Sequence, residues 1–423
     1  MNAVSDTVRH QNYLSLPLEQ HFIMRSFQEK IKEKAKAYHS EAVALRRHFH
    51  RHPELSFEEK ETSAYISAQL TKYGIEHQTK VAGYGIIGII RGRFPEKKCI
   101  ALRADMDALP ITEITEKSYC SANQGVMHAC GHDAHTSILL ITARILAEMS
   151  DDFEGTIKLL FQPAEEKLPG GALGMIEASA LEKPDVSAIA GLHVLPTMEA
   201  GKVGFRDGAF MASSDEVTIT IKGKGGHAAM PDLINDTVLI AAQTLVNLQQ
   251  VVSRLAPPLV PTVLSFGRII AEGAHNVIPS EVVLNGTFRT FDEAWRNKAE
   301  KHIHEIATGT ATSFGAQAVV EITKGYPVLI NDLKTTETAY QAAVEFLGSE
   351  NVEKIDQRMT AEDFAWYTHR VPACFFRLGT GNTALGITSN LHTPTFDIDE
   401  NSLETGIGTM VSVALKLLES VEQ

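Results

Sequence analysis

Apolar and polar positions change their period along the chain, and those changes outline the fold. From about residue 26 into the low 50s apolar residues recur at helical spacing. That helix is expected to end at His52-Pro53, because a residue before proline is pushed out of the helical region. Ser56 followed three residues later by Glu59 reads as a capping box for a second helix, which runs to Tyr73 and stops at Gly74. Near-continuous apolar runs follow at 84–90, 98–104, 155–162 and 186–194, separated by helical stretches at 136–149 and 171–180. Runs that are apolar on both faces belong in a covered sheet, so the alternation predicts an α/β domain whose mostly parallel central sheet is flanked by helices.

The texture changes near Gly201. Polar and apolar residues alternate at 216–222, a helical period spans 233–255, two strand-like runs sit at 261–271 and 277–290, and a helix is expected over 292–313. Strand, helix, two strands, helix and strand make a small α+β (ferredoxin-like) module with one solvated sheet face. Helix and strand patterns return after Gly325 and end in a helix over about 400–418. The expected organisation is a discontinuous α/β domain, residues 1–204 and 319–423, interrupted by an inserted domain over residues 205–318.

Composition narrows the function classes. The chain has 423 residues, 44% hydrophobic and 22% charged, within the globular range. Its net charge of −13 and its lack of a dense basic run argue against a nucleic-acid partner. The first residues carry no apolar signal core and no 18-residue apolar run occurs, so no membrane partner is expected and the expected compartment is the cytoplasm. Four cysteines scattered over this length cannot form a disulfide framework.

The chemistry concentrates at strand ends. His128, Cys130, His132, Asp133 and His135 fall within eight residues just before a helix, and Gly131 removes a side chain between a thiol and an imidazole that can reach one cation. The run 155–162 opens into Glu165-Glu166, whose neighbouring side chains point different ways, so one can hold a metal while the other moves protons. His193 ends a third strand, Asp105 and Asp107 end a fourth, and His392 sits in a turn near the C-terminus. Asp107 suits the outer N–H of a ligating imidazole. Taken singly each group has a structural explanation. Together Cys130, His132, Glu166 or Glu165, His193 and His392 suit two divalent cations roughly 3.5 to 4 Å apart. A rival reading makes Cys130 a nucleophile with a neighbouring histidine as its base.

The segments RRHFHRHPELSFEE (46–59), ALRADMDALPI (101–111), HACGHDAHTS (128–137), FQPAEE (161–166), GLHVLP (191–196), GKGGHAAMP (223–231), NVIP (276–279) and LHTP (391–394) resemble those of the metal-dependent N-acyl-amino-acid amidohydrolases. That family includes aminoacylases, hippurate hydrolases and plant auxin-conjugate hydrolases, and the resemblance spans about residues 41–415. It implies a metal-binding domain with an inserted dimerisation or lid domain. Cys130, His132, Glu166, His193 and His392 fall on its ligand positions, Glu165 on its catalytic carboxylate and Asp107 on the aspartate that supports a ligand. Asp105 stands where more distant carboxypeptidase branches have a ligand histidine, with Cys130 compensating. His227 falls on a histidine that relatives bring to a partner subunit's site, and Asn276 and Arg289 on substrate binders.

The resemblance implies two divalent cations per subunit, Mn2+ or Zn2+ ahead of Co2+ or Ni2+, and a homodimer or homotetramer. The implied substrate is a small N-acyl amino acid or related conjugate, cleaved at its amide bond by a metal-bridging water that Glu165 deprotonates. A peptidase or carboxypeptidase acting on small dipeptides through the same site is the alternative. Glu362-Asp363-Phe364 also resembles a family signature, but the sequence gives it no physical role.

Overall fold

The structure, a computed structural model, describes residues 18–420, with side chains from residue 27 onward. An eight-stranded sheet runs edge to edge through Glu76–Val81, Gly85–Arg91, Thr156–Gln162, Cys99–Asp105, Ala188–Glu199, Ala373–Gly381, Val203–Phe205 and Val352–Lys354. The central strands are buried along their whole length, and alternate residues enter different cores. Ile100, Leu102 and Ala104 join one core, with helices His132–Glu148 and Ser402–Glu419, whereas Cys99 and Ala101 join another on the opposite face. Period-two alternation between two covered faces explains the unbroken apolar runs. No helix among the described residues is long and apolar enough to cross a membrane.

The sheet departs from the mostly parallel expectation: it is mixed. Four neighbouring pairs are parallel, but the Glu76–Val81 hairpin, its junction with Thr156–Gln162 and the return strand Val203–Phe205 pair antiparallel. A short turn at residues 82–84 joins the first antiparallel pair, whereas the other two pair strands distant in the chain, and the apolar pattern alone encodes neither direction.

Three local expectations also change. The single helix expected from residue 26 is two, Leu18–Ala37 and His39–Arg51, broken at Tyr38, whose hydroxyl reaches Glu148 at 2.7 Å and whose ring lies under Arg144. The Ser56/Glu59 capping box does not form. Ser56 Oγ donates instead to Asp107 at 2.6 Å, Glu59 Oε1 accepts the amides of Phe57 and Ala164, and Glu54 caps helix Lys60–Lys72 through the amides of Glu61 and Thr62. The long helix over 233–255 is a 3-10 turn, an α-helix Thr237–Gln250 capped by Asp236, and a π turn Val251–Leu255. The stop at Gly74 is present, at φ +71.

A separate four-stranded antiparallel sheet runs Thr262–Ile270, Glu281–Thr290, Asp215–Lys222 and Gln317–Lys324, and helices Thr237–Gln250 and Glu293–Ser313 cover one face. Its fourth strand straddles residue 318, so this sheet closes at Lys324. The apolar run over 277–290 splits at Pro279. Val277–Ile278 pairs with Gly226–His227 outside the four-stranded sheet.

Candidate active site

The carboxyl ends of the central strands converge on one point. Gly131, at φ +84, caps the helix that starts with His132, and a Cβ on it would lie 2.5 Å from Val194 Cγ2. Only glycine makes this turn without strain. His132 therefore begins the helix with Nδ1 2.9 Å from the Asp107 carbonyl and 3.2 Å from its carboxylate, which leaves Nε2 as a lone pair. Asp107 Oδ2 also accepts the Glu166 amide at 3.0 Å, tying two strand ends together. His193 Nδ1 faces the Val194 carbonyl at 2.8 Å, so its Nε2 is likewise an acceptor.

Around these atoms the donor set closes. Cys130 Sγ lies 3.4 Å from His193 Nε2 and 3.3 Å from His392 Nε2. Glu166 Oε1 lies 3.4 Å from His392 Nε2 and 3.8 Å from His132 Nε2. His132 Nε2 and Glu166 Oε1 are buried without hydrogen-bond partners. Buried polar atoms that face one another without hydrogen bonds are unfavourable unless a cation lies among them.

The electrostatics agree. Burial by itself would lower His132, yet Asp105, Asp107 and Glu166 carry it up to about 10. Surroundings that hold a proton so firmly also suit a divalent cation. Burial and then Arg377 hold His193 well below the usual imidazole range, which keeps its lone pair free. His135 is excluded as a ligand, since Nδ1 meets Asp105 at 2.6 Å and Nε2 accepts the Val194 amide at 2.9 Å.

Beside the cluster, Glu165 is 6% exposed and its carboxylate lies within reach of Glu362 and Asp363. Burial, and then Glu362, Glu166 and Asp363, hold it well above the usual carboxylate range. Its carbonyl accepts the Tyr326 hydroxyl at 2.5 Å. Beneath it Arg103 binds Asp105 at 2.6 Å, Asp363 at 2.7 Å and Glu362 at 3.0 Å, while Gln162 donates to Asp363. The Glu362-Asp363 pair therefore belongs to a buried ion network under Glu165. Sequence reasoning missed Arg103 and Tyr326. An arginine inside a strand as apolar as 98–104 was the available signal.

A cavity of about 1650 Å³ opens above the cluster, between the strand ends and the four-stranded sheet, whose Thr218, Asn285 and Arg289 form its far wall. Arg289 Nη1 donates to the Met359 carbonyl at 3.2 Å. His227 and Asn276 are neighbours, joined by the Ala228 amide donating to the Asn276 carbonyl at 2.9 Å, but neither lines this cavity within one chain.

The sequence profile of peptidase family M20/M25/M40 matches residues 101–416. The chain is 42% identical over 303 residues to the N-acyl-L-amino acid amidohydrolase of Geobacillus stearothermophilus, covering 72% of this chain and 81% of that one. It is 38% identical over 391 residues to the N-acetylcysteine deacetylase of Bacillus subtilis, covering 92% of this chain and 99% of that one. Among solved structures, a dinuclear metal-binding peptidase of Bacillus subtilis matches with a TM-score of 0.78 and 34% identity, over 91% of this chain and 100% of that one. Profile, relatives and fold agree over most of the chain, and the protein belongs to peptidase family M20/M25/M40 and is a hydrolase.

Proposed function

We infer that this hydrolase cleaves the amide bond of N-acyl amino acids or closely related small conjugates, using two divalent cations held by Cys130, His132, Glu166, His193 and His392. The observation that carries the reading is the set of acceptor atoms, two of them buried and unpartnered, gathered beside a buried carboxylate that is not needed to complete the set. The printed activities of the Geobacillus and Bacillus relatives support the substrate class. A thiolate among the donors favours Zn2+, and Mn2+, Co2+ and Ni2+ are the other candidates.

When bound, two such cations polarise the scissile carbonyl, acidify a water and offset the carboxylates that raise Glu165. Glu165 takes the proton from that water and returns it to the leaving nitrogen, one group in two roles. Asp107 holds the His132 ring in register, and the Arg103 network holds Glu362 and Asp363 beneath Glu165. Arg289 grips the substrate carboxylate in bidentate fashion, with Asn276 as a further substrate contact. His227 and Asn276 sit together away from the cavity of their own chain, which supports their service to a partner subunit's site in a homodimer or homotetramer. The inserted domain supplies that contact. Four unpaired cysteines favour the cytoplasm.

A thiol nucleophile is the competing reading, because two imidazoles flank Cys130. Burial, and then Glu166 and Glu165, hold that thiol well above its usual range, which works against its activation as a nucleophile by either imidazole. The test is removal of metal with a chelator and its return, with N-acetyl-L-methionine as substrate. Loss and recovery of turnover support the proposal, whereas full activity in metal-free protein, or an acyl thioester trapped on Cys130, overturns it.

A further inference from the structure

Four arginines are almost fully buried among the described residues, and three of them are neutralised inside the fold. Arg46 pairs with Asp133 and Asp397, Arg103 with Asp105, Glu362 and Asp363, and Arg296 with Asp215 and Glu293. Arg377 is the exception. It is 3% exposed, its Nε is buried without a partner, and its Nη2 meets only Met211 Sδ at 3.0 Å. The rings of Phe210 and Phe375 flank its guanidinium at 5.5 and 5.4 Å. No described carboxylate forms a salt bridge with it.

Its position explains what is missing. Arg377 lies on the strand Ala373–Gly381, in register with His193 on the parallel neighbouring strand, so both side chains stand on one face of the sheet and both line the cavity. Arg358, half-buried on the loop that follows Lys354, lines the same part of the cavity and likewise has no carboxylate partner among the described residues. A desolvated guanidinium persists when an anion completes it. The carboxylate of an N-acyl amino acid completes one arginine in bidentate fashion, and Arg289 on the opposite wall takes that part. Two positive groups near His193 remain without a salt-bridge partner among the described residues.

We propose that Arg377 and Arg358 form a second anion subsite beside the metal cluster, and that the preferred substrates are N-acyl amino acids carrying a second carboxylate. This rests on the amide-hydrolase reading above. The second carboxylate belongs either to the amino-acid side chain or to the far end of the acyl group, and both sources offer the same planar anion.

The experiment compares kcat/KM of the Mn2+-loaded protein on N-acetyl-L-methionine, N-acetyl-L-glutamate and N-succinyl-L-methionine. One of the two dianions is expected to exceed the monoanion by about 10- to 100-fold, the size of a charge-assisted hydrogen-bond pair. Preference for the glutamate compound puts the subsite on the leaving side; preference for the succinyl compound puts it on the acyl side. In Arg377→Met that ratio is expected to collapse toward one through KM, while Arg377→Lys retains part of it. Arg358→Gln supplies an independent variant at a half-buried position should Arg377→Met not fold, and it too is expected to shrink the ratio. Equal kcat/KM for all three substrates in the native protein, a ratio unchanged in Arg358→Gln, or an equal loss on every substrate in Arg377→Met overturns the subsite. Hydrolysis of N-acetyl-L-methionine without a dianion preference overturns this inference alone, whereas no turnover of any N-acyl substrate overturns the amide-hydrolase reading with it.

Discussion

The amide of Ala164 donates to Glu59 Oε1 at 2.7 Å, across 105 residues of chain. The same oxygen accepts the Phe57 amide at 3.0 Å. Phe57 and Ala164 both adopt left-handed backbone conformations, at φ 69 and φ 53, which side chains other than glycine reach only with strain. One buried carboxylate thus holds two strained turns, and the second of them separates Glu165 from the strand that carries it. With the Gly171 amide donating to the Ala164 carbonyl at 2.9 Å, the direction of Glu165 is set from both sides of that peptide.

This arrangement gives stability a pH dependence of definite sign. Burial, and then Asp107, raise Glu59 to about 7, above its value in an unfolded chain. The folded state therefore binds a proton that the unfolded state has released, and the stability this contributes is lost as pH rises toward 7. Glu59→Gln keeps an acceptor oxygen for both amides and cannot ionise. Relative to the native chain its stability is expected to improve from about pH 5 to about pH 8, by on the order of 3 kcal/mol if the whole shift is expressed. Urea unfolding of both proteins across that range checks it, and a difference that stays flat with pH removes Glu59 as the source.

How much of this was legible in the sequence depends on whether the deciding partner was near. Two strand ends could be located because apolar runs stop abruptly at Asp105 and Gln162, where only a few residue types can bind a cation. His193, expected to end its strand, lies instead inside Ala188–Glu199, because the apolar run continues through Val194 and Leu195. Ser56 and Glu59 have the spacing of a capping box, but Asp107, 51 residues beyond Ser56, and the Ala164 amide compete for them and win. Strand direction was also hidden, since a buried strand shows the same apolar run whether its neighbour is parallel or antiparallel. The role of Glu362-Asp363 depends on Arg103, which the chain brings back from 260 residues away.

Glu165→Gln tests the division of labour between the adjacent glutamates. The amide is nearly isosteric, removes the proton acceptor and leaves Glu166 untouched. Metal content measured by plasma emission is expected to match the native protein, while kcat falls roughly 10³-fold, near the middle of the range for loss of a general base. Turnover close to native in a fully loaded variant would mean that another group moves the proton.

Gly131→Ala combines two penalties between two proposed ligands. The new Cβ meets Val194 Cγ2 at 2.5 Å, and φ +84 is a conformation that alanine resists. The left-handed backbone alone costs about 1–2 kcal/mol. Lower thermal stability and faster loss of metal to a chelator are the expected results. Adding Val194→Ala relieves the contact but not the backbone strain, so the double variant is expected to recover only part of both. Complete recovery would assign the whole effect to packing.

His227 provides the sharpest test of a shared site. It is exposed, its Nδ1 accepts the Ala229 amide at 3.1 Å, and it stands outside the cavity of its own chain. If the partner subunit's His227 donates to the developing oxyanion, His227→Ala is expected to lower kcat by about 10²- to 10³-fold with KM changed little. A histidine serving its own site would give the same loss, so the single variant does not discriminate. Mixing subunits does. His227→Ala chains keep an intact Glu165, and Glu165→Gln chains keep an intact His227, so a mixed dimer assembles one site with both groups intact only if the histidine crosses the interface. Unfolding and refolding the two variants together is expected to restore up to about a quarter of native activity, since random pairing makes half the dimers mixed and each has one good site out of two. Activity no greater than the sum of the parents, in a sample where tagged chains prove exchange, would place the histidine's action within its own subunit.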